Sequence, residues 1–464
     1  MESNARDFPQ AARAALGDSD LRFALDHLVQ LAIPARKDAV DRRRDFEELR
    51  TRAAEIRDRG IARLDKHLEL FEENATGHGA TVHWCETADD ARETIASICR
   101  QRDARRCVKG KSMLSEEIGL AEHLEEIGVS VTESDVGEYI LQLGKERPSH
   151  IVGPALHKSI DEVRALFAEH HASPPRRAAS AEELVVEARE VLRPRYFEAD
   201  IGITGANFLI ADTGSVVLVT NEGNGDLAHL LPRTVVVVVG IDKIIATLDE
   251  LPTLLRVLAR SATGQELTVY TTLITGPKRA QEQEGPEQVH IVLVDNGRSD
   301  LLGGPAWQAL RCIRCGACLD HCPIYHSAGG HAYGWVYPGP IGAVINPALL
   351  GLEEAVHLPQ ATTACGRCEE VCPVKIPLPE IMHQWRARAF DEGLGPSLRW
   401  STGLWAWLAV RPRLYRVSVA AFGLSLRALR RMPWLSRVLP GVRAWTAERE
   451  LPPSSGPPFS RWDE

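Results

Sequence analysis

The chain has 464 residues, 44% apolar and 25% charged, which is more than one hydrophobic core usually organises and too apolar for a disordered protein. A net charge of −9 with a pI near 6.0 excludes a generally basic surface and gives no support for nucleic acid as a partner. The polar start and the lack of an uninterrupted apolar run of spanning length lead us to expect a cytoplasmic protein.

From about residue 15 to 75, apolar positions spaced among Arg, Glu and Asp predict helices. Helix and strand signals then alternate. Residues 88–102 read as a helix, Arg106–Val108 as a strand entering the polar turn Lys109–Ser112, and 114–127 as another helix. Val129–Thr132 and Ser149–Val152 read as short strands. A linker is expected at 170–181, where Pro, Ala and Ser break any period. Strands return at 206–211, 215–219, 234–239 and 289–294, and their β-branched runs suit a sheet covered on both faces. Residues 306–385 carry little helix or strand signal, as expected where metal replaces a hydrophobic core. The section 386–447 alternates arginines with aromatics that include Trp400, Trp405, Trp407, Phe422, Trp434 and Trp445, and 449–464 is Pro/Ser-rich and expected to be disordered. The resulting division is an N-terminal helical region 1–75, an α/β domain 76–300, a cysteine-rich domain 301–390 and an extension 391–464.

Seven of the ten cysteines crowd between Cys312 and Cys372, a density that indicates metal ligation rather than a disulfide framework. Cys312, Cys315, Cys318 and Cys322, followed by Pro323, form the C-x2-C-x2-C-x3-C-P run of two-cluster iron–sulfur proteins, whose fourth cysteine serves the other cluster. Cys365, Cys368 and Cys372, followed by Pro373, repeat the pattern without its first ligand, whose place falls on Thr362. Crossed ligation then predicts one [4Fe–4S] cluster on Cys312, Cys315, Cys318 and Cys372. A second, [4Fe–4S] or [3Fe–4S], would lie on Cys322, Cys365 and Cys368. Paired zinc knuckles are the competing reading; two Cys-Pro endings and an odd ligand number favour iron–sulfur. His331, between the motifs, is expected to pack or hydrogen-bond rather than complete the open corner.

The chain resembles the lactate-utilisation iron–sulfur protein family, B component. The likeness is carried by Lys109-Gly-Lys-Ser-Met113, Glu116-Glu-Ile-Gly119, Glu133-Ser-Asp-Val-Gly-Glu-Tyr139, Pro148-Ser-His-Ile-Val152, Gly202-Ile-Thr-Gly-Ala-Asn207, Asn221-Glu-Gly-Asn224, Asp295-Asn-Gly-Arg298, both cysteine motifs and Pro373-Val-Lys-Ile-Pro377. The resemblance implies an α/β phosphosugar-isomerase/CoA-transferase-like domain followed by an α-helical two-cluster ferredoxin-like domain. It also implies work with other lactate-utilisation subunits in oxidising L-lactate to pyruvate.

Local chemistry adds candidates in the larger domain. Lys109, Lys111 and Ser112 suit an anion at a turn entering a helix, although the P-loop spacing is absent and a solvent-facing turn is an equal reading. Asn207, Asn221, Glu222 and Asn224 sit near predicted strand ends and offer neutral donors with one carboxylate, chemistry suited to a small hydroxy acid or to a subunit interface. Glu133, Asp135 and Glu138 lack metal-ligand spacing. No dinucleotide fingerprint follows a strand, so no hydride acceptor is in view. We therefore expect an electron-transfer subunit that passes lactate-derived electrons towards another subunit or a membrane electron acceptor, from the cytoplasm or peripherally at the inner membrane face. A self-contained hydroxy-acid dehydrogenase and a redox-sensing or assembly protein are the alternatives.

Overall fold

Five consecutive valines, Val235–Val239, form the buried middle of a strand, β7 (Thr234–Gly240), in a computed structural model that describes residues 3–171, 180–394 and 396–432 with a few positions beyond. A run of β-branched residues suits a strand covered on both faces, and the period of two separates them. Val236 and Val238 enter one apolar cluster with Ile201, Ile203, Val292 and Val294. Val235, Val237 and Val239 enter another with Val289, Ile291 and Leu293.

The other strands are β1 (Thr81–Cys85), β2 (Arg106–Lys109), β3 (Ser130–Glu133), β4 (Ile201–Thr204), β5 (Phe208–Ile210), β6 (Ser215–Thr220), β8 (Ile244–Ile245), β9 (Tyr270–Ile274) and β10 (Gln288–Val294). Six form a wholly parallel sheet in the order β1-β10-β7-β4-β2-β3. After β2 the chain moves outward to β3, and after β4 it moves the opposite way to β7. A topological switch therefore lies between β2 and β4, where their following loops diverge. A smaller sheet, β8-β5-β6-β9, stands beside it with antiparallel β5–β6 and β6–β9 pairs.

Residues 1–387 pack as one compact unit and 388–464 as a second. In the first, N-terminal helices Ser19–Asp41 and Phe46–Ala62 reach the far end of the cysteine region. Arg36 donates to Val371 O (2.9 Å) and Arg50 to Cys372 O (2.8 and 3.0 Å). The fully buried Arg57 donates to the carbonyls of Ile244 and Leu310.

Two expectations need correction. Ser149–Val152 is a loop, because its polar groups are taken by the cysteine region and by a local turn instead of a ladder: Tyr325 Oη donates to Ser149 O (2.7 Å), and Ser149 N donates to Pro154 O. Gly330 lies so close beneath that a Cβ there would sit 1.6 Å from Ser149 O. Residues 306–385 also have regular structure and an apolar core of their own. Helices Ala317–Asp320, Pro323–Ala328 and Gly339–Leu349 bury Leu319, Tyr325, Ile341, Val344 and Ile345.

In the second unit, helices Pro396–Ala409 and Pro412–Arg431 leave Trp400, Trp405, Trp407 and Phe422 exposed, with Arg411 stacked 4.2 Å over Trp407. No helix among the described residues is long and apolar enough to cross a membrane. Most of the expected 170–181 linker, Trp445 and the 449–464 tail lie outside the described residues.

Candidate functional site

The two cysteine motifs have the same backbone, fifty positions apart. Arg314 and Gly316 have positive φ (59° and 78°), as do Ala364 and Gly366 (55° and 76°). A short helix follows each, Ala317–Asp320 and Arg367–Glu370. The turns close alike, with Cys322 N donating to Leu319 O and Cys372 N to Glu369 O, both at 3.1 Å. The match extends to the missing ligand: Arg314 N donates to Cys312 Sγ (3.4 Å), and Ala364 N donates to Thr362 Oγ1 (3.0 Å). Thr362 thus places a hydroxyl where the first motif places a thiol.

Cys312, Cys315, Cys318 and Cys372 line one apolar pocket with Ile151, Ile313, Ile341 and Ile376. Burial pushes the Cys315 thiol up, and Cys372 pushes it further; Cys318 is raised by burial and then by Cys315 and Cys312. Cys372 is pushed up to about 11 by burial. Cys322, Cys365 and Cys368 form a second group whose charges act on one another: Cys368 is pushed up to about 12, first by burial and then by Cys322. Cys365 is exposed, and its thiol is lowered by the Thr363 side chain and the Arg367 N–H.

Thiols that oppose each other's ionisation in an apolar pocket stay protonated unless a cation draws the protons off, which iron does. Further features fit clusters. Ile376 N donates to Cys372 Sγ (3.4 Å), the kind of N–H that tunes thiolate-held iron. Tyr333 Oη is buried without a hydrogen-bond partner among the described residues, and its hydroxyl is raised first by burial and then by Cys322. His331 Nε2–H donates to Arg147 O (2.7 Å), so it is hydrogen-bonded.

A cavity of about 290 Å³ opens at the carboxyl ends of β2, β4 and β7, at the switch point. It brings together Lys111, Ser112, Asn207, Asn221, Glu222 and Asn224. Most have prior duties. Lys111 donates to Val152 O, Ser112 caps the helix Met113–Glu117, Asn221 ties Gln265 to Val269 N, and Asn224 reaches Ser134 O. Asn207 accepts from Val219 N (2.9 Å), which leaves its amide as a donor, and Glu222 is exposed.

Lys109 is the correction. It belongs to β2 rather than to the turn, is fully buried, and lies 3.0, 3.0 and 3.6 Å from Glu116, Glu133 and Glu138. Burial lowers its pKa, but these carboxylates hold it well above the ordinary lysine value, and burial raises Glu133 in turn. The ammonium fills the space among the three glutamates and is committed to them, so it is not a free anion anchor.

Residues not named as site candidates from the sequence complete the cavity wall. Arg298 pairs with Glu117 (2.7 and 2.9 Å) and with Asp242 (3.1 Å), all buried. Tyr337 Oη also donates to Glu117. Lys243 pairs with Asp242 and donates to Cys312 O (2.9 Å). Ile151, Ile313 and Arg314 line this cavity and the cysteine pocket alike, so a wall one residue thick separates them.

A family model described as LUD domain matches residues 68–294, and one described as 4Fe-4S dicluster domain matches 308–376. The lactate utilization protein B of Bacillus velezensis is 41% identical over 100% of this chain and 97% of its own length. That of Bacillus subtilis strain 168 is 40% identical over 98% and 92%. This chain belongs to the lactate utilization protein B family. Members also include that of Lysinibacillus sphaericus, 42% identical over 90% of this chain and 88% of its own. A crystal structure of a DUF162 family protein from Deinococcus radiodurans covers 50% of the chain at 17% identity with a TM-score of 0.29. The dicluster match makes the cofactor of this family member two iron–sulfur clusters, and the fold is a mixed α/β region followed by a more helical one.

Proposed function

We propose that the protein is the iron–sulfur electron-transfer subunit of a multisubunit oxidoreductase that oxidises L-lactate to pyruvate. The observation that carries the reading is the sorting of seven thiols into two groups across the motifs, Cys312, Cys315, Cys318 and Cys372 around one pocket and Cys322, Cys365 and Cys368 beside it. The first set would hold an inner [4Fe–4S] cluster. The second would hold an outer one with a single non-cysteine corner, which becomes [3Fe–4S] if that iron is lost. When bound, each cluster accepts and releases one electron at a time.

The chain's own residues insulate and position. Ile151, Ile313, Ile341 and Ile376 keep water from the inner thiolates, and the N–H groups of Arg314 and Ile376 stabilise charge on sulfur. Cys365 leaves the outer group open at the surface, where a partner subunit or a membrane acceptor would exchange electrons. In domain terms, we take 1–75 as helical, 76–300 as the phosphosugar-isomerase/CoA-transferase-like domain, 301–390 as the two-cluster domain and 391–464 as an extension. The six-stranded parallel sheet supports the second of these. A cytoplasmic location, peripheral at the inner membrane face, suits the exposed Trp and Arg of the extension.

The test is anoxic purification of the full chain, iron and sulfide analysis, and EPR with L-lactate in the presence and absence of partner subunits. Two clusters that lactate reduces only when partners are present are expected. Zinc without sulfide would end the reading, and reduction of the isolated chain by lactate would make it a dehydrogenase in its own right.

A further inference from the structure

The geometry points to the 290 Å³ cavity as a binding site for a small 2-hydroxy or 2-oxo carboxylate, anchored by Arg314 against the wall of the inner cysteine pocket. The inference deepens the reading above and rests on it for the choice of acids.

Arg314 occupies a left-handed conformation that a branched or long side chain adopts at a cost, and its counterpart in the second motif is Ala364. The backbone there does not call for arginine. Its guanidinium lies 4.1 Å over the Tyr337 ring, and Nη1 is buried with no hydrogen-bond partner among the described residues. An unpaired guanidinium nitrogen in a cavity wall is costly unless an anion completes it.

The carboxylates nearby are spent on other cations. Both oxygens of Glu117 accept from Arg298, and Asp242 divides its oxygens between Arg298 and Lys243. Asp135, on the cavity wall, caps the helix Val136–Gly144, and Glu222 is exposed. Lys111 adds another positive charge to the lining. Cys312 and Asp242 act on Arg314 electrostatically, but no carboxylate accepts from its Nη1 among the described residues, and the N–H donor edge of a guanidinium suits a ligand carboxylate. The Asn207 amide is a donor for a hydroxyl or keto oxygen on the same molecule. The position is also the one where parallel α/β sheets receive ligands.

The test is calorimetry on anoxically purified full-length protein with both clusters loaded, titrated with L-lactate, pyruvate, lactamide and inorganic phosphate. Lactate or pyruvate should bind at one site and perturb the inner-cluster EPR line, with lactamide about tenfold weaker or worse. Arg314→Asn, chosen because asparagine tolerates the left-handed backbone, should weaken the acid about tenfold at wild-type iron content. Should that variant lose iron, Asn207→Asp decides instead: it keeps the acceptor for Val219 N, adds a negative charge away from the cysteines, and should weaken binding similarly.

No binding of either acid, tighter binding of phosphate than of both acids, or unchanged affinity in an iron-loaded Arg314→Asn or in Asn207→Asp would overturn the site. Reducible clusters without acid binding would refute this site alone, whereas acid binding to a protein whose clusters cannot be reduced would refute the electron-transfer reading alone.

Discussion

The two cysteine motifs share a backbone and differ in what surrounds it. The first rests on the α/β region: Leu319 and Asp320 of its short helix are buried, and His150 Nδ1 accepts from Val152 and Gly153 N, which leaves Nε2–H to donate to Asp320 (3.1 Å). The helix of the second, Arg367–Glu370, has no fully buried residue, and Cys365 is exposed. The same fold is thus used once as an enclosed site tied to a cavity and once as an open site facing outward. The difference teaches that ligand geometry is set by the local turn, whereas enclosure is set by what distant segments bring to it.

That contrast can be broken in order of severity. Cys315→Ser should remove the inner cluster, about half of the iron and sulfide, and lower the thermal midpoint as well, because that pocket also brings both motifs together with Ile151 and with Ile341 of the helix Gly339–Leu349. Iron analysis and calorimetry check both. Arg298→Met leaves Glu117 buried and unpaired at the edge of the cavity and should cost about 3–5 kcal/mol in denaturant unfolding. Cys368→Ser should abolish the outer-cluster EPR signal while lowering the midpoint less than Cys315→Ser does, since no residue of its helix is fully buried. Equal losses from the two cysteine variants would show that enclosure does not distinguish the sites. Thr362→Cys should sharpen the comparison by giving the outer motif its eighth thiol; a [3Fe–4S] signal formed on brief air exposure of the wild type should then shrink.

The smallest effect concerns acid. Burial alone would raise Glu117, but Arg298 and the donors around it hold the carboxyl below its ordinary value of 4.5. A depressed acid contributes stability above its unfolded pKa and loses it as pH falls through the folded one. Wild-type stability should therefore drop below about pH 4.5, and Glu117→Gln, weaker at neutral pH, should show a shallower decline in urea unfolding across that range.

What was legible in the sequence was local. The cysteine spacings, Thr362 at the vacant ligand position, and the valine-rich strands β7 and β10 each depend on neighbours within a few residues. Six of the seven residues named in the α/β region do meet in one cavity, because they follow strands whose carboxyl ends converge. Lys109 was misjudged because its partners Glu133 and Glu138 come from another strand and helix. Ser149–Val152 reads as a strand until Tyr325, 176 residues away, takes its carbonyl. Nothing in the sequence signals the role of Arg314, because the carboxylates Glu117 and Asp242, taken up by Arg298 and Lys243, stand far from it in the chain, and only the folded structure shows its Nη1 without a hydrogen-bond partner among the described residues.

Arg50 holds the carbonyl of a cysteine that lies 322 residues further on. A ribosome therefore delivers the clamp long before the ligand it grips, and a nascent chain stopped short of Cys372 offers only three thiols to the inner pocket. The inner ligand set is in this way completed only after synthesis has passed the second motif, and a product truncated before it lacks the fourth inner cysteine.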